Sequence, residues 1–235
     1  MKDLLGQAIY NYYQGISKEN VTTETNLTEE DEMDISYMFR SFKEMPKIEQ
    51  KALQLAKGKI LDVGCGAGSH ALYLQEQGLD VKAIDISPKS IETAQLRGVK
   101  NTQLIDILNI KEETFDTILL LMNGTGIFKE LKHVAKYLNH LKTLLNPNGQ
   151  ILIDSSDLIY LFDEDEDGGK WIPTDREYYG ELTFTVHYQG QTDDTFPWLY
   201  LDYNTLQNAC SFNHLNCELI LEGKHFDYLA KITIE

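Results

Sequence analysis

The chain has 235 residues, with 21 basic and 37 acidic side chains for a formal charge of −16, and it is 42 % hydrophobic and 25 % charged. That composition supports one buried core with an appended cap, and it excludes both a second full domain and a disordered chain. The acidic excess repels nucleic acid and anionic lipid at long range and favours small neutral or cationic ligands.

Residues 1–57 read as helical. Ile35, Met38, Phe39 and Phe42 fall on one face, and Pro46 opens a second helix through Ile48, Ala52 and Leu55. From 59 to 154 short apolar runs alternate with helical patterns, the sequence form of a parallel sheet wrapped by helices. Runs at 60–61, 81–84, 103–105, 117–122 and 151–153 predict five successive strands. Ala71, Leu72 and Leu74 predict a short helix that stops at Gly78. Ser87-Pro88 supplies an N-cap and a first helical residue for the next helix, which Gly98 ends. Leu131, Val134, Leu138, Leu141 and Leu145 form a stripe at helical spacing before Asn146-Pro147-Asn148-Gly149 turns the chain. An irregular, aromatic-rich stretch at 155–203 follows, with a strand expected at 179–188. A helix at 204–212 and two strands at 217–221 and 228–234, joined at Gly223, close the sequence. The expected organisation is one domain: a helical cap (1–57), a core (58–154), an insert (155–203) and a C-terminal helix with a strand pair (204–235).

No membrane segment is expected, because the longest apolar runs, 118–122 and 158–162, fall far short of the roughly 20 residues a spanning helix needs. The start Met1-Lys2-Asp3-Leu4-Leu5-Gly6 lacks the basic and apolar stretches of a secretion signal, so a cytoplasmic protein is expected. Cys65, Cys210 and Cys217 are too few for a disulfide framework or a zinc cage and read as reduced thiols, and no metal is expected.

The sharpest chemical signal is Ile60-Leu61-Asp62-Val63-Gly64-Cys65-Gly66-Ala67-Gly68, a strand that runs into a glycine loop and then a helix. Glycines there let backbone N–H groups and a helix N-terminus approach a ligand closely. The Gly64-x-Gly66-x-Gly68 spacing differs from the Gly-x-Gly-x-x-Gly of dinucleotide binders and points away from a nicotinamide cofactor. Asp85 ends the second strand about 20 residues later, where a carboxylate accepts from the hydroxyls of an adenosine ribose. Asp106-Ile107 follows the third strand, placing an acceptor for an adenine amino group beside an aliphatic cover for the ring. Met122-Asn123-Gly124 lies at the carboxyl end of the fourth, on the rim where open α/β sheets bind ligands.

With these four elements, residues 59–154 resemble a class I S-adenosylmethionine-dependent methyltransferase of the small bacterial type with a small-molecule acceptor. The resemblance implies a Rossmann-like α/β fold, a seven-stranded sheet in the order 3-2-1-4-5-7-6 with strand 7 antiparallel and helices on both faces. It implies S-adenosyl-L-methionine as donor and S-adenosyl-L-homocysteine as product. By the same resemblance Asp62, Gly64, Cys65, Gly66 and Gly68 hold the methionine end, Asp85 the ribose, and Asp106 with Ile107 the adenine, with Ile86 also among the cofactor-binding residues. Met122 and Asn123 line the methyl side, and Arg40 resembles upstream residues that reach the cofactor carboxylate.

The insert departs from the simplest members of that family and, with the N-terminal segment, is expected to shape the acceptor site. Its rings suit a sulfonium or an amine. Methyl transfer is an in-line displacement that depends chiefly on placement of the acceptor, so a base is optional. His187 and His225 are the candidates. The run Asp163-Glu164-Asp165-Glu166-Asp167-Gly168 imitates the first half of a calcium loop, but Thr174 stands at its twelfth position and Pro173 breaks the exit helix, so it reads as a solvated loop. The alternative function is a non-catalytic binder of S-adenosylmethionine or S-adenosylhomocysteine acting as sensor or partner subunit. The oligomeric state carries no sequence signal, monomer and homodimer both fitting.

Overall fold

The computed structural model describes residues 2–172 and 177–235. In chain order it runs α1 (Leu4–Tyr13), β1 (Val21–Thr25), β2 (Asp31–Met33), a 3-10 turn (Ile35–Phe39), α2 (Lys47–Leu55), β3 (Lys59–Val63), α3 (Ser69–Glu76), β4 (Asp80–Asp85), α4 (Pro88–Arg97) and β5 (Thr102–Leu104). Then come β6 (Phe115–Leu120), α5 (Val134–Thr143), β7 (Leu145–Ser156), β8 (Glu181–Tyr188), β9 (Gln191–Thr192), β10 (Phe196–Leu199), α6 (Tyr203–Phe212), β11 (Leu215–Glu222) and β12 (Asp227–Ile234).

Seven strands make the main sheet, in the order β11-β12-β7-β6-β3-β4-β5. Counted along the chain within that sheet the order is 3-2-1-4-5-7-6, and β12 runs antiparallel to β7, as the sequence led us to expect. Alternate residues of each strand enter opposite layers of core. Leu61, Ile118 and Ile151 pack with Val134, Leu138 and Leu141 of α5 and Leu206 of α6. Ile60, Leu119 and Leu152 pack on the other face with Ala52 of α2, Leu74 of α3 and Ala94 of α4. The punctuation read from sequence is present: the Ser87 hydroxyl accepts from Ser90 N at 2.9 Å, Pro88 opens α4, and Gly98 closes it at φ +103°.

The N-terminal segment differs from the all-helical expectation. Between α1 and the 3-10 turn lies the hairpin β1–β2, and β1 pairs with β8 of the insert, Thr22 opposite His187 and Thr23 opposite Val186. Val21-Thr22-Thr23-Glu24-Thr25 is rich in β-branched residues that fit a pleated, half-buried surface. The insert supplies β8, β9 and β10 in place of a single strand, and a second sheet, β10-β8-β1-β2 with β9 on β8, results. Its inner face packs Val21, Val186 and Tyr188 with Ile9 of α1 and with Ala67 of the glycine loop. Asp193 fastens this cap by accepting from Lys2 N (2.5 Å) and Leu4 N (3.1 Å) at the start of α1. Helix α1 in turn lies on α4, where a Cβ at Gly6 would come within 2.2 Å of the Ser87 hydroxyl. Among the described residues no helix is long and apolar enough to cross a membrane.

Candidate functional site

The carboxyl ends of β3, β4, β6 and β7 meet at one edge of the sheet, beneath the cap. The loop after β3 is held by Gly64 N and Cys65 N, which donate to the Ile84 carbonyl at 2.9 and 3.0 Å. Gly64 (φ +72°) and Gly66 (φ +52°) occupy left-handed backbone, and beyond the flanking residues of each no atom of the described residues lies within 4 Å of where a Cβ would stand. The loop therefore presents bare backbone to open space. Gly68 serves a different need, since a Cβ there would press on Val99 at 2.8 Å. Cys65 is buried beside the loop, and burial holds its thiol well above the usual range, which leaves it unreactive.

Asp85 ends β4 with both carboxylate oxygens engaged, Oδ2 accepting from Gly66 N and Oδ1 from Ser87 N, each at 2.9 Å. Burial pushes it above the normal carboxylate range against those bonds, and each oxygen retains a lone pair for a further donor. Asp106 caps a 3-10 turn by accepting from Leu108 N at 2.8 Å. Ile107 differs from expectation. The turn directs it inward, where it is 5 % exposed in the core, whereas Ile86, beside Asp85, is 61 % exposed and is the aliphatic surface offered at this rim.

At the end of β6, Met122 and Asn123 take consecutive left-handed conformations (φ +67° and +59°). Asp154, near the end of β7, holds the turn by accepting from Met122 N (3.1 Å) and Gly124 N (3.0 Å). Burial, reinforced by the charge of Glu49, pushes its pKa up to about 7 against those two N–H bonds. Ser156 donates to Asn123 Oδ1 at 3.0 Å, and the Thr125 hydroxyl donates to the Leu199 carbonyl of the cap at 2.9 Å. Gly126 permits this join, since a Cβ there would overlap the Trp198 ring.

Arg40 and Asp62 are both buried, and each has a polar atom, Arg40 Nε and Asp62 Oδ2, with no hydrogen-bond partner among the described residues. His70, in the first turn of α3, is buried as well, with Nε2 at 2.6 Å from Glu49 Oε2. Sequence reasoning missed Glu49 and Asp154. Both carried a signal: Glu49 sits with Ile48, Ala52 and Leu53 on the buried side of α2, and Asp154 closes an apolar strand at the rim as Asp85 does.

Of the two candidate bases, His187 is turned away from this edge, whereas His225 lies in a turn beside the carboxyl end of β7. His187 lies on the outer face of the cap sheet, opposite Val186 and Tyr188. Its Nδ1 is 3.0 Å from the Thr192 hydroxyl, and its Nε2 is 3.5 Å from Glu24. Ligand atoms of Glu24, Glu30 and His187 come within 4.8 Å of one another there, on the far side from the glycine loop. His225 is exposed in the turn between β11 and β12. In the acidic run, Asp165 turns back on its own loop, accepting from Gly169 N (2.7 Å) and Asp167 N (3.1 Å); Pro173 and Thr174 lie outside the described residues.

The family model described as a methyltransferase domain matches residues 36–205. The fold superposes with a TM-score of 0.91 on the crystal structure of an S-adenosylmethionine-dependent methyltransferase from Bacteroides fragilis in complex with S-adenosyl-L-homocysteine. That match is 45 % identical and covers 99 % of this chain and 95 % of the other. A ubiquinone biosynthesis O-methyltransferase of Rickettsia typhi is 32 % identical over 111 residues, 46 % of this chain and 45 % of that protein. The chain thus spans under half the length of that curated relative. A sugar N-methyltransferase from a Streptoalloteichus species, at 14 % identity and a TM-score of 0.56, shares the fold. The open glycine backbone, the partnerless Asp62 oxygen and the Asp85 carboxylate fit the adenosine and amino-acid ends of S-adenosyl-L-homocysteine, the ligand of the Bacteroides fragilis structure. This chain belongs to the S-adenosylmethionine-dependent methyltransferases.

Proposed function

We propose that this enzyme methylates a small-molecule acceptor by in-line displacement, with the cofactor lying along the carboxyl edge of β3, β4 and β6. The bare backbone at Gly64 and Gly66 carries this reading, because two left-handed glycines on either side of Cys65 that face open space, one bonded to Asp85, make a cradle that side chains would fill. The bound cofactor supplies a methyl group on a sulfonium centre. Asp85 with Ile86 faces the ribose, Asp106 the adenine amino group, Asp62 and Arg40 the amino-acid head, and the Met122–Asn123 turn the methyl side. Ile107 serves as core support for the adenine end, and Cys65 and Gly68 as the packed side of the loop.

The acceptor side is framed by Tyr37, Tyr160, Tyr200 and Asp154. Tyr37 and Tyr160 are exposed. Burial, with Tyr160 and Asp154 nearby, pushes the Tyr200 hydroxyl up to about 12, so it stays a neutral donor. Aromatic faces beside a carboxylate, on a chain of charge −16, favour a neutral or cationic acceptor. Similarity to a ubiquinone biosynthesis O-methyltransferase supports an acceptor of small-molecule size. With His187 on the outer face, rate enhancement rests on holding the acceptor in line, a placement effect that reaches about 7–11 kcal/mol in well-oriented systems.

Calorimetric titration tests the reading. S-adenosylmethionine and S-adenosylhomocysteine are expected to saturate the protein while NAD does not, and absence of binding by the first two overturns it. Turnover across a panel of small amines, phenols and thiols then separates an enzyme on small molecules from a binder that only senses the cofactor. Asp85→Ala is expected to weaken S-adenosylhomocysteine by about 1–3 kcal/mol, the scale for hydrogen bonds to a charged group. An unchanged affinity removes the ribose assignment.

A further inference from the structure

Four ionisable side chains from separate parts of the chain meet behind the glycine loop: Arg40 ahead of α2, Glu49 within it, Asp62 on β3 and His70 in α3. None is more than 9 % exposed. Arg40 and His70 share one atom, Glu49 Oε2, to which Arg40 Nη2 donates and which lies 2.6 Å from His70 Nε2, and Asp62 lies within electrostatic range of His70. Arg40 is fixed at two further points, since Nη1 donates to the Tyr37 carbonyl at 2.5 Å and the guanidinium carbon stands 3.8 Å above the Tyr37 ring. Even so, Arg40 Nε and Asp62 Oδ2 find no partner among the described residues. A buried donor and a buried acceptor left unpaired are costly unless a ligand completes them. A cationic donor near an anionic acceptor is the complement of a zwitterion.

We propose that Glu49 and His70 are positioning residues for the amino-acid head of the cofactor, locking Arg40 through one shared carboxylate oxygen so that it and Asp62 meet a carboxylate and an amino group. This rests on the cofactor placement proposed above. Burial acts to raise Glu49, but the bonds and charges of His70 and Arg40 outweigh it and hold the carboxyl below its ordinary range. Burial acts to lower His70, but the bond to Glu49 and the charges of Asp62 and Glu49 raise it despite Arg40. Burial, with the charge of Asp85, raises Asp62 against the charge of His70; with His70 protonated and Asp62 ionised, two cations face two anions and the cluster is neutral. Loss of that proton leaves an excess negative charge, with Asp154 of β7 also within electrostatic range of His70. The carboxylate of the head then binds less well, so affinity falls as pH rises.

The contrast that tests this is S-adenosylhomocysteine against 5′-methylthioadenosine, which keeps the adenosine and the thioether and lacks the amino-acid head. Glu49→Gln also removes the charge that keeps His70 protonated, so the cluster stays near neutral and the fixed placement of Arg40 is what is lost. We expect S-adenosylhomocysteine to weaken by about tenfold to a hundredfold, the effect of a misplaced charged hydrogen bond, with 5′-methylthioadenosine unchanged. His70→Gln keeps a hydrogen bond to Glu49 without the charge. It is expected to flatten the decline in S-adenosylhomocysteine affinity expected of the wild type as pH rises, and it answers the same question if Glu49→Gln melts early. Equal losses for the two ligands, or none for either variant, overturn the proposal. A wild type that binds neither ligand overturns the cofactor placement instead.

Discussion

Gly66→Val is expected to weaken S-adenosylhomocysteine by more than the about 1–3 kcal/mol expected of Asp85→Ala. Gly66 sits at φ +52°, a conformation that costs an L residue roughly 1–2 kcal/mol and a β-branched one more. The valine methyls would also enter the open space above the loop. Strain and exclusion are separable. Gly78, at the end of α3, has φ +82° and equally open surroundings, but it precedes β4 at the opposite edge of the sheet. Gly78→Val should lower the melting temperature with little change in S-adenosylhomocysteine affinity, whereas Gly66→Val should lower both. Equal affinity in the two variants would show that backbone strain alone matters and that no ligand approaches Gly66.

The core was legible because parallel strands covered on both faces must be short, nearly continuous apolar runs, and their helices need caps. Val81, Ala83 and Ile84, ended by Asp85 and then Ser87-Pro88, carry all of that locally. The cap was not, because β1 finds its partner in β8, more than 150 residues away, and the alternation of Thr22, Thr23 and Glu24 acquires its meaning only from that pairing. The same separation explains His187: its neighbours in sequence say nothing about which face of the cap looks toward the glycine loop. Ile107 differed from expectation where Ile86 did not, for a local reason. Asp106 caps a turn and so sends the next side chain inward, while Asp85 ends a strand whose next residue projects from the rim. Glu49 shows a further limit, since an acid on an amphipathic helix reads as solvated until the partners that bury it, Arg40 and His70, are in place.

Asp154 should make two properties of this protein run in opposite directions through the same pH. Its carboxyl is raised by burial from 3.8 to about 7 in the folded chain. A group raised on folding contributes stability below its unfolded pKa and loses that contribution as pH rises through the folded one, here on the order of 4 kcal/mol in all. The contribution of Asp154 to global stability should therefore fall as pH rises from about 4 toward 7 and level off above it. The ionised carboxylate is nevertheless the better acceptor for Met122 N and Gly124 N, so amide protection factors at those two residues should rise over the same interval. His70 contributes a stability slope of the same sign as Asp154, which is why the comparison is with Asp154→Asn. The variant retains one oxygen for the turn, turns an amide NH2 toward the other N–H, and has no proton to lose. It should lose the protection change entirely and keep only the shallower stability slope due to His70 and to the other raised carboxyls, Asp62 and Asp85. Hydrogen exchange and thermal melts on either side of pH 7 read both quantities. Parallel pH dependence of protection in wild type and variant would show that Asp154 stays in one charge state, and that the left-handed Met122–Asn123 turn is held by Ser156 and Thr125 alone.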